Sequence, residues 1–177
     1  MKWLTHAISI GILAAILVPL ARGIDTPARK KTDFVPVQVS KNITVLNARV
    51  GMFKENADGE QEFTKVKEIT WDEGTGYGWV LDVSTPQRTV EVEEKIKLPS
   101  APTTWGDLSD GKTQIVEDGT AAITKLSYPV VDGQVMNSWT FTEGDPDGEY
   151  SISLKIAGVP VVEKKIKVVK KAAEAQP

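Results

Sequence analysis

The sequence predicts an all-β protein, an antiparallel sandwich of about eight or nine strands behind an N-terminal signal helix. Three observations predict it. Apolar and polar residues alternate with period two from about residue 37 to 169. Turn residues interrupt that alternation at short intervals, as in sandwiches. Beyond the first two dozen residues no stretch carries a convincing helical period.

The leader comes first. Lys2 supplies a positive start, and Ala7 to Leu20 is an apolar run closed by Pro19-Leu20. Ala21 and Gly23 then place small residues at the −3 and −1 positions of a cut after Gly23. The run is shorter than the roughly 20 residues a spanning helix needs. Residues 1–23 therefore read as a signal peptide, with an uncleaved membrane anchor as the alternative. No Cys stands near the cut to accept a lipid. Residues 24–36, with Pro27, Arg29, Lys30, Lys31 and Pro36, read as a flexible tether.

The strands of a domain over 37–169 follow. Weaker ones fall at 41–54, 62–70, 112–117 and 121–130. Tyr77, Trp79, Leu81 and Val83 make one apolar row. Val90, Val92, Ile96 and Leu98 make another, with Glu91, Glu93, Lys95 and Lys97 opposite. Glu94 falls on the apolar face, which predicts a bulge or an edge there. Trp139 and Phe141 share a face in 134–142. Tyr150, Ile152 and Leu154 continue the core, and with Trp139 they are expected on adjacent strands under the last hairpin. Ala157-Gly158 is the turn of that hairpin, which returns through Ile166 and Val168. Residues 170–177 read as a disordered tail.

Composition then excludes whole classes of chemistry. The chain has no Cys, and its only His is His6, inside the leader. Once the leader is removed there is no Cys or His nucleophile, base or zinc ligand. Cleavage leaves 154 of the 177 residues and, as Lys2 and Arg22 depart, moves the net charge from −3 to −5. An acidic surface opposes nucleic-acid binding. The absence of disulfides in an exported chain fits a bacterial envelope better than a small eukaryotic secreted protein. The sequon at Asn42-Ile43-Thr44 reads as chance.

The remaining constellations each have two readings. Asp145, Asp147 and Glu149 present alternate carboxylates suited to calcium, but Pro146 and Gly148 suit a plain turn. Tyr150 is placed either as a tyrosine corner, as in immunoglobulin-like sandwiches, or as an ordinary core residue. Trp105, in the long loop 99–111, is either an exposed contact residue or a cap on one end of the sandwich. Trp71 is a second contact candidate. Asp72 and Glu73, with the acidic loop, are the carboxyls available to a hydrolase. Lys164, Lys165, Lys167, Lys170 and Lys171 form either a docking patch or a solvated strand face on a charged edge.

Trp139-Thr-Phe141-Thr-Glu-Gly144-Asp145-Pro146-Asp-Gly148-Glu-Tyr150-Ser-Ile152, the Ala157-Gly158 turn and the closing Ile166-Lys-Val168 resemble the C-terminal half of a family of exported bacterial domains of unknown function. The Tyr77-Gly78-Trp79 strand and Leu98-Pro99 are similar too, so the resemblance spans about 75–168. It implies an immunoglobulin-like β-sandwich and carries no activity.

The functional expectation is a non-enzymatic, periplasmic or secreted module of a bacterial envelope, protein-binding or structural. It needs no cofactor and no resident metal. Its expected partner is an envelope protein or a glycan, and its expected membrane contact is through the uncleaved leader alone. A carbohydrate-binding module is the alternative, and a carboxylate hydrolase the least favoured.

Overall fold

Alternating apolar side chains can bury only one face of a strand, so the chain must stack sheets to hide them. The computed structural model describes residues 34–56, 61–71, 75–106, 108 and 111–170. The expected signal helix and nearly all of the expected tether lie outside these residues, as do Asp72, Glu73 and the expected tail from 171. Within them there is no helix, and so none long and apolar enough to cross a membrane.

Among the described residues eleven strands form. They are β1 (Val37–Ser40), β2 (Ile43–Glu55), β3 (Gln61–Thr64), β4 (Glu68–Trp71), β5 (Gly76–Ser84) and β6 (Thr89–Lys97). The rest are β7 (Thr113–Val116), β8 (Ala121–Pro129), β9 (Gln134–Thr140), β10 (Gly148–Ile156) and β11 (Val159–Lys170). The expected count of eight or nine falls short because the segment 41–54 is preceded by a separate β1, and 62–70 divides into β3 and β4. Lys170, assigned to the tail by sequence, ends β11.

One sheet runs β1-β2-β5-β9, with β3 on the far half of β2. The other runs β4-β11-β10-β6-β8-β7. Every pairing is antiparallel except β11 with β4, which is parallel. That exception corrects the all-antiparallel expectation. β9 and β10 lie in different sheets, so Trp139 faces Tyr150, Ile152 and Leu154 across the core instead of beside them.

The core lies between the sheets. Val45, Trp79, Leu81, Val90, Val92, Val135, Tyr150, Ile152 and Leu154 are wholly buried in it. Each such side chain contributes about 1.5–3 kcal/mol by leaving water. Trp139 is only half-buried, packed against this cluster. In β2 a bulge between Val45 and Asn47 reverses the inward parity, so that Ala48, Val50 and Met52 continue the core row. Gly51 and Gly78 pair directly. A Cβ on either would overlap a carbonyl oxygen of the next strand, Thr64 or Asn137. Only glycine lets those strands approach so closely.

The last hairpin turns through Ala157 (φ 50°) and Gly158 (φ 78°), the two positive angles a tight two-residue turn requires. Tyr150 donates its hydroxyl to the Pro146 carbonyl, 2.7 Å away and four residues upstream. That is a tyrosine corner.

Candidate functional site

Glu94 is in the centre of a sheet. It lies on β6 between β10 and β8, in unbroken register with Leu154 and Thr124. The bulge or edge expected there is absent. The alternation of Val90, Val92 and Ile96 turns the Glu94 side chain inward, and it is 1% exposed. It survives there because the opposite sheet supplies donors. The β5–β9 register sets Trp79 beside Asn137 and Tyr77 beside Trp139. Trp79 Nε1 donates to Oε1 at 2.8 Å. Asn137 Nδ2 and Trp139 Nε1 donate to Oε2 at 2.8 and 3.2 Å.

Burial raises the Glu94 carboxyl above its ordinary value, and the three donors oppose that rise. Burial also raises Tyr128, whose ring meets Trp79 edge-on at 5.2 Å, and the nearby Glu94 charge adds to it. Its hydroxyl is buried without a partner. Next to Glu94 on β8, Thr124 is buried and hydrogen-bonded to Thr113 at 2.9 Å. Among the described residues, all the hydrogen-bond partners of Glu94 are donors and none is a second carboxyl. The arrangement clamps two sheets.

Trp105 reaches this flank from the long loop. Its indole N–H donates to the Gly119 carbonyl at 2.8 Å, and its ring lies edge-on to Trp139 at 6.5 Å. It packs against the core cluster. The capping reading therefore describes its position. Trp71 sits elsewhere, edge-on to Phe141 at 6.3 Å with the Lys170 ammonium 5.4 Å over its ring. The two indoles thus pack on different partners.

The acidic loop is wired as a turn. Asp145 accepts the Thr142 amide at 2.9 Å, and burial raises its carboxyl. Glu149 pairs with Lys165 on the strand surface. Among the described residues no group of three acidic side chains is arranged to hold a metal, so Asp145, Asp147 and Glu149 are not brought together as ligands. The basic cluster is likewise divided. Lys165 meets Glu149, Lys167 meets Glu68, and Lys170 covers Trp71.

β9 is the feature the sequence does not reveal. Among the described residues it ends its sheet, paired only to β5. The Phe141 amide donates to Thr75 O at 3.0 Å, which fixes the alternation: Val135, Asn137 and Trp139 direct their backbone groups to β5. The backbone groups of Gln134, Met136, Ser138 and Thr140 point the other way. Gln134 uses its own with Val131. Met136, Ser138 and Thr140 are exposed, and among the described residues no backbone partner meets them on that side.

No curated protein matches the sequence. Among solved structures the chain is similar to an immunoglobulin-like protein from Pseudomonas aeruginosa, at 17% identity and a TM-score of 0.47, covering 71% of this chain and 95% of that one. It is more distantly similar to an alkylpurine DNA glycosylase of Pseudomonas fluorescens, at 10% identity and a TM-score of 0.31, covering 69% of this chain and 30% of that one. Both likenesses are too loose to bear on activity. A family model described as the PM0630 beta sandwich domain matches residues 48–169. The chain belongs to that β-sandwich family.

Proposed function

We propose that the chain is a non-enzymatic, exported module of the bacterial envelope that binds another polypeptide by adding a strand at β9. The observation that carries this is the open edge of β9, whose outward amides and carbonyls at Met136, Ser138 and Thr140 have no partner among the described residues. Such an edge templates an added strand. The signal pattern of residues 1–23 supports export. The absence of His and Cys after the leader, and the engagement of both Glu94 oxygens by donors, support a non-catalytic role. The glycan reading has less to rest on, because the Trp105 indole is bonded to Gly119 and packed on Trp139.

The test is a photo-crosslinking amino acid placed at Ser138 in cells. It should yield one discrete polypeptide adduct, absent when the label is placed at exposed Val35, ahead of β1 at the opposite edge of the same sheet. Failure to form any polypeptide adduct at Ser138 contradicts the reading.

A further inference from the structure

We infer that the strand received by β9 is the β9 of a second copy, antiparallel about a twofold axis at Ser138, so that two sheets join into one. This rests on the reading that β9 takes an added strand, and goes beyond it by naming the occupant and the register.

The other edges are short or protected. β1, β3, β4 and β7 have four residues each, and β3 and β4 carry Glu62 and Glu68. The part of β11 ahead of its pairing with β4 carries Pro160, Glu163, Lys164 and Lys165, the residue types that discourage an added strand. β9 has seven residues, no charge, no proline and no bulge. Among the described residues three large apolar side chains are exposed, Val35, Val131 and Met136. Two of the three stand at this edge, since Val131 is bridged to Gln134.

An uncharged strand meets its own copy without like-charge repulsion. An antiparallel pair is also its own twofold partner, which is the commonest symmetry of soluble dimers. The register follows from which groups are free. Gln134 is occupied by Val131, so Met136, Ser138 and Thr140 are the free outward residues, and Ser138 is their centre. Centring on Ser138 sets it against Ser138 of the second copy, Met136 against its Thr140, and Thr140 against its Met136. All three hydrogen-bonded pairs then form, and Gln134 keeps its bonds to Val131.

Sedimentation velocity on the protein purified from the envelope fraction tests this. The wild type should sediment at twice the chain mass in the micromolar range. Ser138→Lys sets two ammonium groups directly opposite each other at the axis, and should weaken the dimer by about tenfold or more. Ser138→Pro removes an outward amide and should do the same. Val35→Lys, which adds the same charge at an exposed position away from β9, should leave the dimer intact. Urea melts identify which variants remain folded, and the wild-type mass decides even if a variant does not. A wild type that stays monomeric up to hundreds of micromolar overturns the inference, as do folded β9 variants that dimerise as well as the wild type. A monomer whose Ser138 crosslinks a different protein overturns the second copy and leaves the strand-addition reading standing. With no adduct of any kind, both fall.

Discussion

The indole N–H of Trp79 on β5 donates to Oε1 of Glu94 on β6 at 2.8 Å, joining the two sheets through the core. A buried carboxylate without a cation is costly unless its oxygens are met by donors. Here Trp79, Asn137 and Trp139 meet both oxygens from the opposing sheet. These bonds fix how the sheets sit relative to each other, because a one-residue slip of β5 or β9 would carry the donors away.

Glu94→Leu should therefore destabilise, although Leu is apolar and close in size. The Trp79, Trp139 and Asn137 donors would lose their acceptor. The buried Trp79 donor left unmet costs about 1–3 kcal/mol and the half-buried Asn137 and Trp139 donors less, so a loss of about 2 kcal/mol or more is expected in urea melts. An unchanged melt would remove the clamp.

The same carboxyl gives a pH signature. Its folded-state value is raised above the ordinary 4.5, so the folded state holds this proton more tightly than the unfolded chain. Its contribution to stability is fully present below about 4.5 and falls as pH rises through the folded value. Glu117, held at about 2 by Lys95 and Lys97, has the opposite sign, as does Glu93 beside Lys125 and Lys155. Comparison with Glu94→Gln cancels those surface groups. The stability of the wild type relative to Glu94→Gln should decline as pH rises from about 4.5 and level off above the folded value. A difference independent of pH would contradict the burial of this charge.

Tyr150→Phe keeps the buried ring and removes only the hydroxyl bond to Pro146 O. Stability should fall by about 1 kcal/mol with an unchanged urea slope. A silent substitution would mean that the corner does not hold the 143–148 loop.

Trp105→Ala should cost about 1–3 kcal/mol, less than the roughly 3–5 expected for wholly buried Trp79→Ala. Its ring is half-buried and tied to Gly119 and Trp139. Matched urea melts check this, and a Trp105→Ala melt identical to wild type would return Trp105 to the surface.

Much of the sandwich is legible because burial imposes period two. The rows Tyr77–Val83, Val90–Leu98 and Tyr150–Ile156, with the Ala157-Gly158 turn, can be read directly. The β2 core row is harder, because the bulge at Leu46 shifts its parity and the sequence carries no marker for it. β4 joins β11 in parallel across about a hundred residues of chain, beyond any local signal. Glu94 breaks the apolar row visibly, but what receives it is non-local: its donors come from positions 79, 137 and 139 in the other sheet. The available clue was chemical. Indole and amide donors stood on inward-facing rows and needed acceptors. The β9 edge was hidden for a related reason, since strand order decides which strand lacks a neighbour and local pattern does not encode it.

The central claim is that β9 presents an open edge that accepts a strand. Residue-resolved amide exchange, measured at low and high protein concentration, tests it most directly. At low concentration the Val135, Asn137 and Trp139 amides, bonded to β5, should exchange slowly, while those of Met136, Ser138 and Thr140 exchange fast. At high concentration Met136, Ser138 and Thr140 should become slow together. Protection of all six amides already at low concentration, or a Met136 and Ser138 rate that never changes with concentration or with added envelope extract, would contradict the account.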